Sequence, residues 1–230
     1  MDFSFGALTL TASFLAAAYL IYYAFTPPNP MPTKAWPKDT LMRHQNPRQR
    51  KLGIVFLFLG WFYHISLILF PPSSPSILCP HPSQLDPKFF TWSPYTTSFI
   101  LLIFIAAPIR LLAYKQLGQN FTFMLAKPKE LITTGLYAYV RHPSYPTLLA
   151  CHVAICALVM RWGGMTGCWL PAWLARWSFV DVGGVALFGV ASLCALLVRV
   201  GEEEEMLRSE FGDEYEAYAR RTKRFLPWII

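Results

Sequence analysis

Five long apolar runs alternate with shorter polar stretches along the 230-residue chain. The runs are residues 3–25, 52–70, 95–113, 147–160 and 182–198. A helix needs about 20 apolar residues to cross a hydrocarbon core of about 30 Å, so these runs predict transmembrane helices. The fourth run is short, and its length also suits a re-entrant segment or a buried helix. Residues 162–177, rich in Trp and Gly, predict an interfacial loop or the tip of a broken hairpin.

The tail after the fifth run has a different pattern. Leu207, Phe211, Tyr215 and Tyr218 recur at spacings of four, four and three, which is one stripe of an amphipathic helix. Gly212 weakens that helix and can split it in two. The pattern predicts an all-α fold: a polytopic membrane helix bundle of about five transmembrane helices with a cytosolic C-terminal amphipathic helix. We expect a single membrane-embedded domain over 1–230, with N-terminal spans in 1–94 and a core in 95–230.

Composition indicates that lipid solvates much of this chain. Hydrophobic residues make up 54% and charged residues only 14%, against about 25% charged in soluble domains. Residues 3–25 lack the basic start and cleavage site of a signal peptide, so we expect them to remain as an anchor. The five cysteines form no C-x-x-C pair, so we expect neither a disulfide framework nor a metal site.

The distribution of Lys and Arg predicts the orientation of the spans. Residues 34–51 hold six and residues 115–141 hold four, whereas 71–94 hold one and 161–180 hold two. The tail from Arg199 onward holds six. Because basic loops stay on the cytosolic side, the N-terminus is expected in the lumen and the tail in the cytosol.

Two polar clusters are candidates for chemistry. The first, residues 137–145, suits a membrane-interface belt in which Arg and His snorkel and Tyr anchors. The second, Arg199 with the glutamates 202–205, suits a solvated helix start. Both clusters fall at cytosolic ends of neighbouring spans, and Arg199 and Glu203 share a helical face. Together they could line one pocket for a ligand with a lipid tail and a charged head.

Three motifs in this order resemble the isoprenylcysteine carboxyl methyltransferases. The first is LGxNF over residues 117–121. The second is T-x-G-L-Y-x-x-x-R-H-P-S-Y over 133–145, and the third is R-x-x-x-E-E-x-x-L-x-x-x-F-G-x-E-Y-x-x-Y over 199–218. The resemblance covers about half of the chain. Thr147 stands where the family often has Gly, and the first two spans match in hydropathy only.

The resemblance implies an enzyme of the endoplasmic reticulum membrane with its active site facing the cytosol. Such enzymes use S-adenosyl-L-methionine to methylate the C-terminal carboxylate of prenylated CaaX proteins or a small prenylcysteine. Carried over by position, the cofactor-binding residues are Lys129, Glu130, Leu131, Ile132, Tyr137, His142, Pro143, Ser144, Tyr145 and Glu203. Arg199 matches the arginine that meets the substrate carboxylate, so Arg199 and Glu203 are the expected catalytic residues. No metal and no nucleic acid are expected.

Three other functions fit part of the pattern. A phospholipid N-methyltransferase would use the same cofactor but needs a base to deprotonate its amine. An NADPH-dependent sterol or isoprenoid reductase would need cations for the dinucleotide phosphates, where this tail carries glutamates. A membrane anchor or scaffold would use the interfacial charges only for snorkelling.

Overall fold

The computed structural model describes residues 4–32, 36–41 and 46–226. Phe3, at the start of the first predicted span, and Lys34 and Arg43, in the first basic loop, lie outside the described residues. The described part of the chain contains seven α-helices: α1 Phe5–Phe25, α2 Pro47–Leu69, α3 Pro94–Leu117, α4 Ser144–Ile155, α5 Ala172–Ala175, α6 Ser178–Phe211 and α7 Asp213–Arg221.

The predicted membrane-spanning pattern is confirmed. Within the described residues, five segments are long and apolar enough to cross a membrane: Phe5–Phe25, Arg48–Leu69, Pro87–Asn120, Ser144–Cys168 and Phe179–Phe211. Those residues form no β-strand, and an isolated bridge joins Val140 and Lys223. The protein is therefore an all-α, multi-pass membrane protein. Helix α4 continues into a π-helical turn, Cys156–Met160, and residues 162–177 hold only a 3₁₀ turn and α5.

Proline and glycine mark several helix ends. Pro47 and Pro94 open α2 and α3, because the first N–H groups of a helix have no partner inside it. Gly118 follows α3 and Gly212 follows α6, with φ angles of 54° and 50°. These left-handed conformations favour glycine after a helix C-terminus. The predicted break at Gly212 is confirmed.

The amphipathic tail is not one separate helix. Helix α6 has 34 residues and continues from the fifth span through the glutamate run to Phe211. Its weakest helix former after Val198 is Gly201, which costs about 1 kcal/mol, whereas Glu, Met, Leu and Arg favour helix. Helix α7 is the separate amphipathic element, with Tyr215 and Tyr218 buried.

The chain forms two compact units, each assembled from three stretches. The first unit contains residues 1–21, 47–105 and 150–190, and the second contains 22–46, 106–149 and 191–230. All of the predicted site residues belong to the second unit. The predicted single-domain organisation stays a prediction.

A disulfide in the first unit contradicts the expectation that the cysteines stay unpaired. Cys79 and Cys168 are bonded to each other, and both are buried beside Leu67. The backbone N–H of His81 also donates to the carbonyl of Cys168 at 3.1 Å. The cysteines are 89 residues apart. Local spacing rules could not reveal this pair, because only the fold brings the two loops together.

Candidate active site

In the second unit, backbone and side-chain groups of the LGxNF motif form hydrogen bonds that fix the neighbouring loops. Asn29 donates its side-chain amide to the carbonyls of Gly118 and Phe121, at 2.7 and 2.8 Å. The side chain of Asn120 accepts the backbone N–H of Lys129 at 3.0 Å. The motif therefore holds the loop that leads into the stretch 129–132.

Four predicted cofactor residues lie on this loop. Lys129 and Glu130 are exposed, and Leu131 and Ile132 are half-buried. Within residues 46–226, no hydrogen bond or ion pair joins these four side chains to the Tyr145–Glu203 pair described below. Their part in a site stays a prediction.

The T-x-G-L-Y motif makes a turn that only glycine fits. Gly135 has a φ of 63°, and a Cβ there would lie 2.5 Å from the side chain of Gln116. That side chain accepts the backbone N–H of Leu136 at 2.9 Å. Tyr137 follows and is buried. Burial raises the pKa of Tyr137 well above its ordinary value, and the negative charge of Glu203 adds to the rise. Its hydroxyl therefore stays neutral at physiological pH.

Tyr145, Glu203 and Arg199 meet in the second unit. The hydroxyl of Tyr145, in the first turn of α4, donates to the Glu203 carboxylate at 2.6 Å. The Arg199 guanidinium lies near the same hydroxyl and interacts with it electrostatically. Arg199 is only 5% exposed, whereas the Glu203 side chain is 24% exposed. The buried guanidinium of Arg199 and the partly exposed carboxylate of Glu203 thus both lie near the hydroxyl of Tyr145.

His142 lies between two carboxylates. Its Nδ1 is 3.7 Å from the Glu203 carboxylate and its Nε2 is 3.4 Å from that of Glu204. Its ring packs edge-on against Tyr145, with centroids 5.6 Å apart. Pro143, the next residue, is buried as well. The structure therefore brings His142 together with Tyr145 and Glu203, and the part of these residues in cofactor binding stays a prediction.

Ser144 is held by an arginine that sequence reasoning assigned to the third span. The guanidinium of Arg110 donates to the Ser144 hydroxyl at 2.6 Å and to its carbonyl at 2.8 Å. Arg110 is 4% exposed and also donates to the carbonyl of Ala24 at 2.9 Å. A charged residue inside an apolar run was the available signal, because such a charge needs buried partners.

The consecutive glutamates 202–205 of α6 have different partners. Glu202 accepts the backbone N–H and the hydroxyl of Thr40, and Glu205 pairs with Lys38. Glu204 is 1% exposed, so the run is not simply a solvated helix face.

Glu204 anchors a C-terminal strap, defined as residues 222–225. Arg224 donates to its carboxylate at 2.7 Å, and Arg141 lies 3.4 Å away. The backbone N–H groups of Arg141 and His142 donate to the carbonyls of Lys223 and Arg224, at 2.8 and 2.9 Å. The strap thereby fixes the backbone that carries His142.

Asp39 was missed by sequence reasoning. Its carboxylate lies 2.6 Å from the Arg199 guanidinium and accepts the backbone N–H of Leu125 at 2.7 Å. Arg199 also donates to the carbonyl of Phe123. Asp39 is 0% exposed. It carries no motif in the sequence, so no local pattern could single it out.

These contacts define a class of protein. It is a multi-pass helical membrane protein in which a buried arginine, a tyrosine and a partly exposed carboxylate meet in one compact unit. Residues 99–209 match the model of the isoprenylcysteine carboxyl methyltransferase family. The resemblance seen in the motifs is confirmed over this segment, which is a little under half of the chain. The segment includes Arg199, Glu203 and the 137–145 cluster, but not Asp39.

Individual relatives agree with the family match. The chain is 30% identical over 144 residues to the protein-S-isoprenylcysteine O-methyltransferase of Schizosaccharomyces pombe, covering 61% of this chain and 52% of that protein. It is 27% identical over 147 residues to the Dictyostelium discoideum enzyme of the same name, covering 62% and 53%. The chain thus spans about half the length of these curated relatives. A solved structure of a eukaryotic intramembrane Ras methyltransferase, an isoprenylcysteine carboxyl methyltransferase, has a TM-score of 0.49 at 18% identity, covering 80% of this chain and 54% of that one.

Proposed function

We propose that this protein uses S-adenosyl-L-methionine to methylate the C-terminal carboxylate of prenylated cysteine. Its substrates would be the C-termini of CaaX-processed proteins or a small prenylcysteine. The observation that carries the proposal is the meeting of buried Arg199 with Tyr145 and Glu203. An arginine suits a carboxylate ligand, because its planar fork of donors matches two carboxylate oxygens.

The residues around Tyr145 fit a cationic cofactor. Glu203 supplies a negative charge that is partly open to solvent. Tyr145 and His142 supply aromatic faces, which attract cations. We assign cofactor binding to the Tyr137, His142–Tyr145 and Glu203 groups, with the 129–132 stretch at their edge. When bound, S-adenosyl-L-methionine supplies an electrophilic methyl group on its sulfonium.

Arg199 can hold a substrate carboxylate beside this cofactor site. A guanidinium has five N–H donors, and its ion pair with Asp39 and hydrogen bond to Phe123 leave donors available. The substrate carboxylate, with an unperturbed pKa near ~3.5, is already ionised at neutral pH, so no general base is needed. The work of the protein is to align the carboxylate and to exclude water from it. The burial of Arg199 serves both tasks.

Helix α6 also offers apolar surface for the prenyl chain. Leu193, Leu197 and Val198 are 43%, 48% and 52% exposed, within two helical turns before Arg199. In a membrane these side chains face an apolar phase. One helix therefore carries an anion-binding group and, on a different face just before it, apolar surface that suits a lipid tail.

Two observations support a cytosolic site in the endoplasmic reticulum membrane. The basic loops and the tail share one predicted side. Cys79 and Cys168 come from the two loops predicted on the other side, and disulfides persist in oxidising compartments such as the reticulum lumen.

A methyl-transfer assay in microsomes tests the proposal. Membranes containing the protein are incubated with radiolabelled S-adenosyl-L-methionine and either N-acetyl-S-farnesylcysteine or phosphatidylethanolamine. We expect base-labile label, typical of a methyl ester, on the farnesylcysteine only. Label on the phospholipid amine instead would establish the N-methyltransferase alternative, and no transfer to either would refute the proposal.

A further inference from the structure

Asp39, in the segment 36–41, places a fully buried carboxylate beside Arg199, the proposed binding group for the substrate carboxylate. We propose that Asp39 is a positioning residue for methyl transfer: it fixes the Arg199 guanidinium so that its remaining donors point at the substrate carboxylate. This inference rests on the proposed function and extends it to a residue outside the family-matched segment 99–209.

Both oxygens of Asp39 are engaged, and each has a different partner. Oδ1 lies 2.6 Å from Nη1 of Arg199, and Oδ2 accepts the backbone N–H of Leu125 at 2.7 Å. The other terminal nitrogen of Arg199 donates to the carbonyl of Phe123, two residues earlier on the same loop. Asp39 thus links α6 to the loop 123–125 and fixes the plane of the guanidinium from two directions.

The chain is pinned on both sides of Asp39. Before it, the backbone N–H of Trp36 donates to the carbonyl of Leu125 at 2.6 Å. After it, the backbone N–H of Thr40 donates to Glu202 at 3.2 Å. Lys38 pairs with Glu205 on the same helix. The Asp39 carboxylate is therefore a fixed part of the site, and it stays in place when the substrate carboxylate binds.

The charge of Asp39 also sets how tightly Arg199 holds its ligand. A buried guanidinium without a counterion would take the substrate carboxylate as its only anionic partner. Such a bond stabilises the ground state and leaves the reacting oxygen less nucleophilic. A guanidinium already paired with Asp39 is oriented and partly neutralised, so it can align the substrate without that loss.

Asp39→Asn separates the contact with Arg199 from the contact with Leu125. The amide oxygen of asparagine can still accept the Leu125 N–H, but its NH₂ group cannot accept a hydrogen bond from Arg199. Asp39→Glu restores the negative charge on a side chain that is one methylene longer. Asp213→Asn, at an exposed position in the first turn of α7, is the matched control for the loss of one aspartate charge.

The test measures kcat and KM for N-acetyl-S-farnesylcysteine, and the affinity for S-adenosylhomocysteine, in membranes carrying each variant. We expect Asp39→Asn to lower kcat at least tenfold while cofactor affinity changes less than twofold. Asp39→Glu should recover at least threefold over Asp39→Asn, and Asp213→Asn should match the wild type. Cofactor binding shows that each variant is folded.

Three results would overturn the role of Asp39 while leaving the proposed function intact. Unchanged kcat with a lower KM in Asp39→Asn would mean that Asp39 competes with the substrate carboxylate. Equal loss of cofactor binding and turnover would show a purely structural role, and an Asp39→Asn variant equal to an active wild type would show none. A wild type that methylates no prenylcysteine would refute the proposed function and the role of Asp39 with it.

Discussion

The hydroxyl of Tyr145 joins the two halves of the proposed site, so its removal is an informative perturbation. Tyr145→Phe deletes one oxygen and leaves a ring that can keep the edge-on packing against His142. The lost bond is a 2.6 Å donation to the carboxylate of Glu203. Hydrogen bonds to charged groups are worth about 1.5–3 kcal/mol. The Glu203 side chain is 24% exposed, so water can replace part of the bond and the lower value applies. Because this bond holds Glu203 in place for the cofactor, we expect Tyr145→Phe to weaken the affinity for S-adenosylhomocysteine. A loss of about 1.5 kcal/mol corresponds to a roughly tenfold weaker affinity.

The assay is equilibrium binding of S-adenosylhomocysteine to detergent-purified protein, with thermal stability recorded on the same samples. Tyr139→Phe makes the same chemical change at a side chain that is 60% exposed, and it should bind as the wild type does. The reasoning is refuted if Tyr145→Phe keeps wild-type affinity, or if Tyr139→Phe weakens binding to the same extent.

Three further predictions follow from the contacts of Arg199, Glu203 and the disulfide. Arg199→Ala should weaken N-acetyl-S-farnesylcysteine binding roughly tenfold or more, from the loss of a charged hydrogen bond, and leave cofactor affinity within twofold; equal loss of both would contradict the division of roles. Glu203→Gln should weaken S-adenosyl-L-methionine binding several-fold, because the amide keeps the shape and removes the charge; unchanged affinity and turnover would remove Glu203 from the site. Cys79→Ser should lower the unfolding temperature, since closing a loop of 89 residues stabilises by about 4–5 kcal/mol in the chain-entropy model. Dithiothreitol should destabilise the wild type and the exposed-cysteine control Cys194→Ser, but not Cys79→Ser; equal sensitivity in all three would count against the disulfide.

The helices could be predicted from the sequence because their signals are local. An apolar run long enough to cross a bilayer is visible without any knowledge of its neighbours. The break at Gly212 was predicted for the same reason, since a glycine lowers helix propensity wherever it occurs. The continuity of α6 through the glutamates was not predicted, because the change in polarity after Val198 suggested a new element where the backbone had no reason to stop.

The motifs also located much of the cluster around Tyr145. Their spacing placed Arg199 and Glu203 on one face of a helix, and the structure places Tyr145 and His142 beside Glu203. What the sequence did not reveal is how these groups are held. Asp39 lies 160 positions before Arg199 in the sequence, and residues so far apart produce no periodic pattern.

The same limit explains the errors on isolated residues. The third span was predicted to continue through Arg110, but the role of Arg110 as the donor that holds Ser144 was not predicted. Cys79 and Cys168 were expected to stay unpaired because the five cysteines form no C-x-x-C pair, and the structure bonds them to each other. In each case the partner of the residue could be identified only from the fold.

The central claim is that a buried guanidinium recognises the carboxylate of a prenylated ligand. The most direct measurement compares the affinity of the wild-type protein for N-acetyl-S-farnesylcysteine and for its methyl ester, which has the same lipid tail and no charge. The account predicts that the acid binds at least about ten times more tightly, as expected for a charged hydrogen bond worth about 1.5 kcal/mol or more. Equal affinity for the acid and the ester would contradict it.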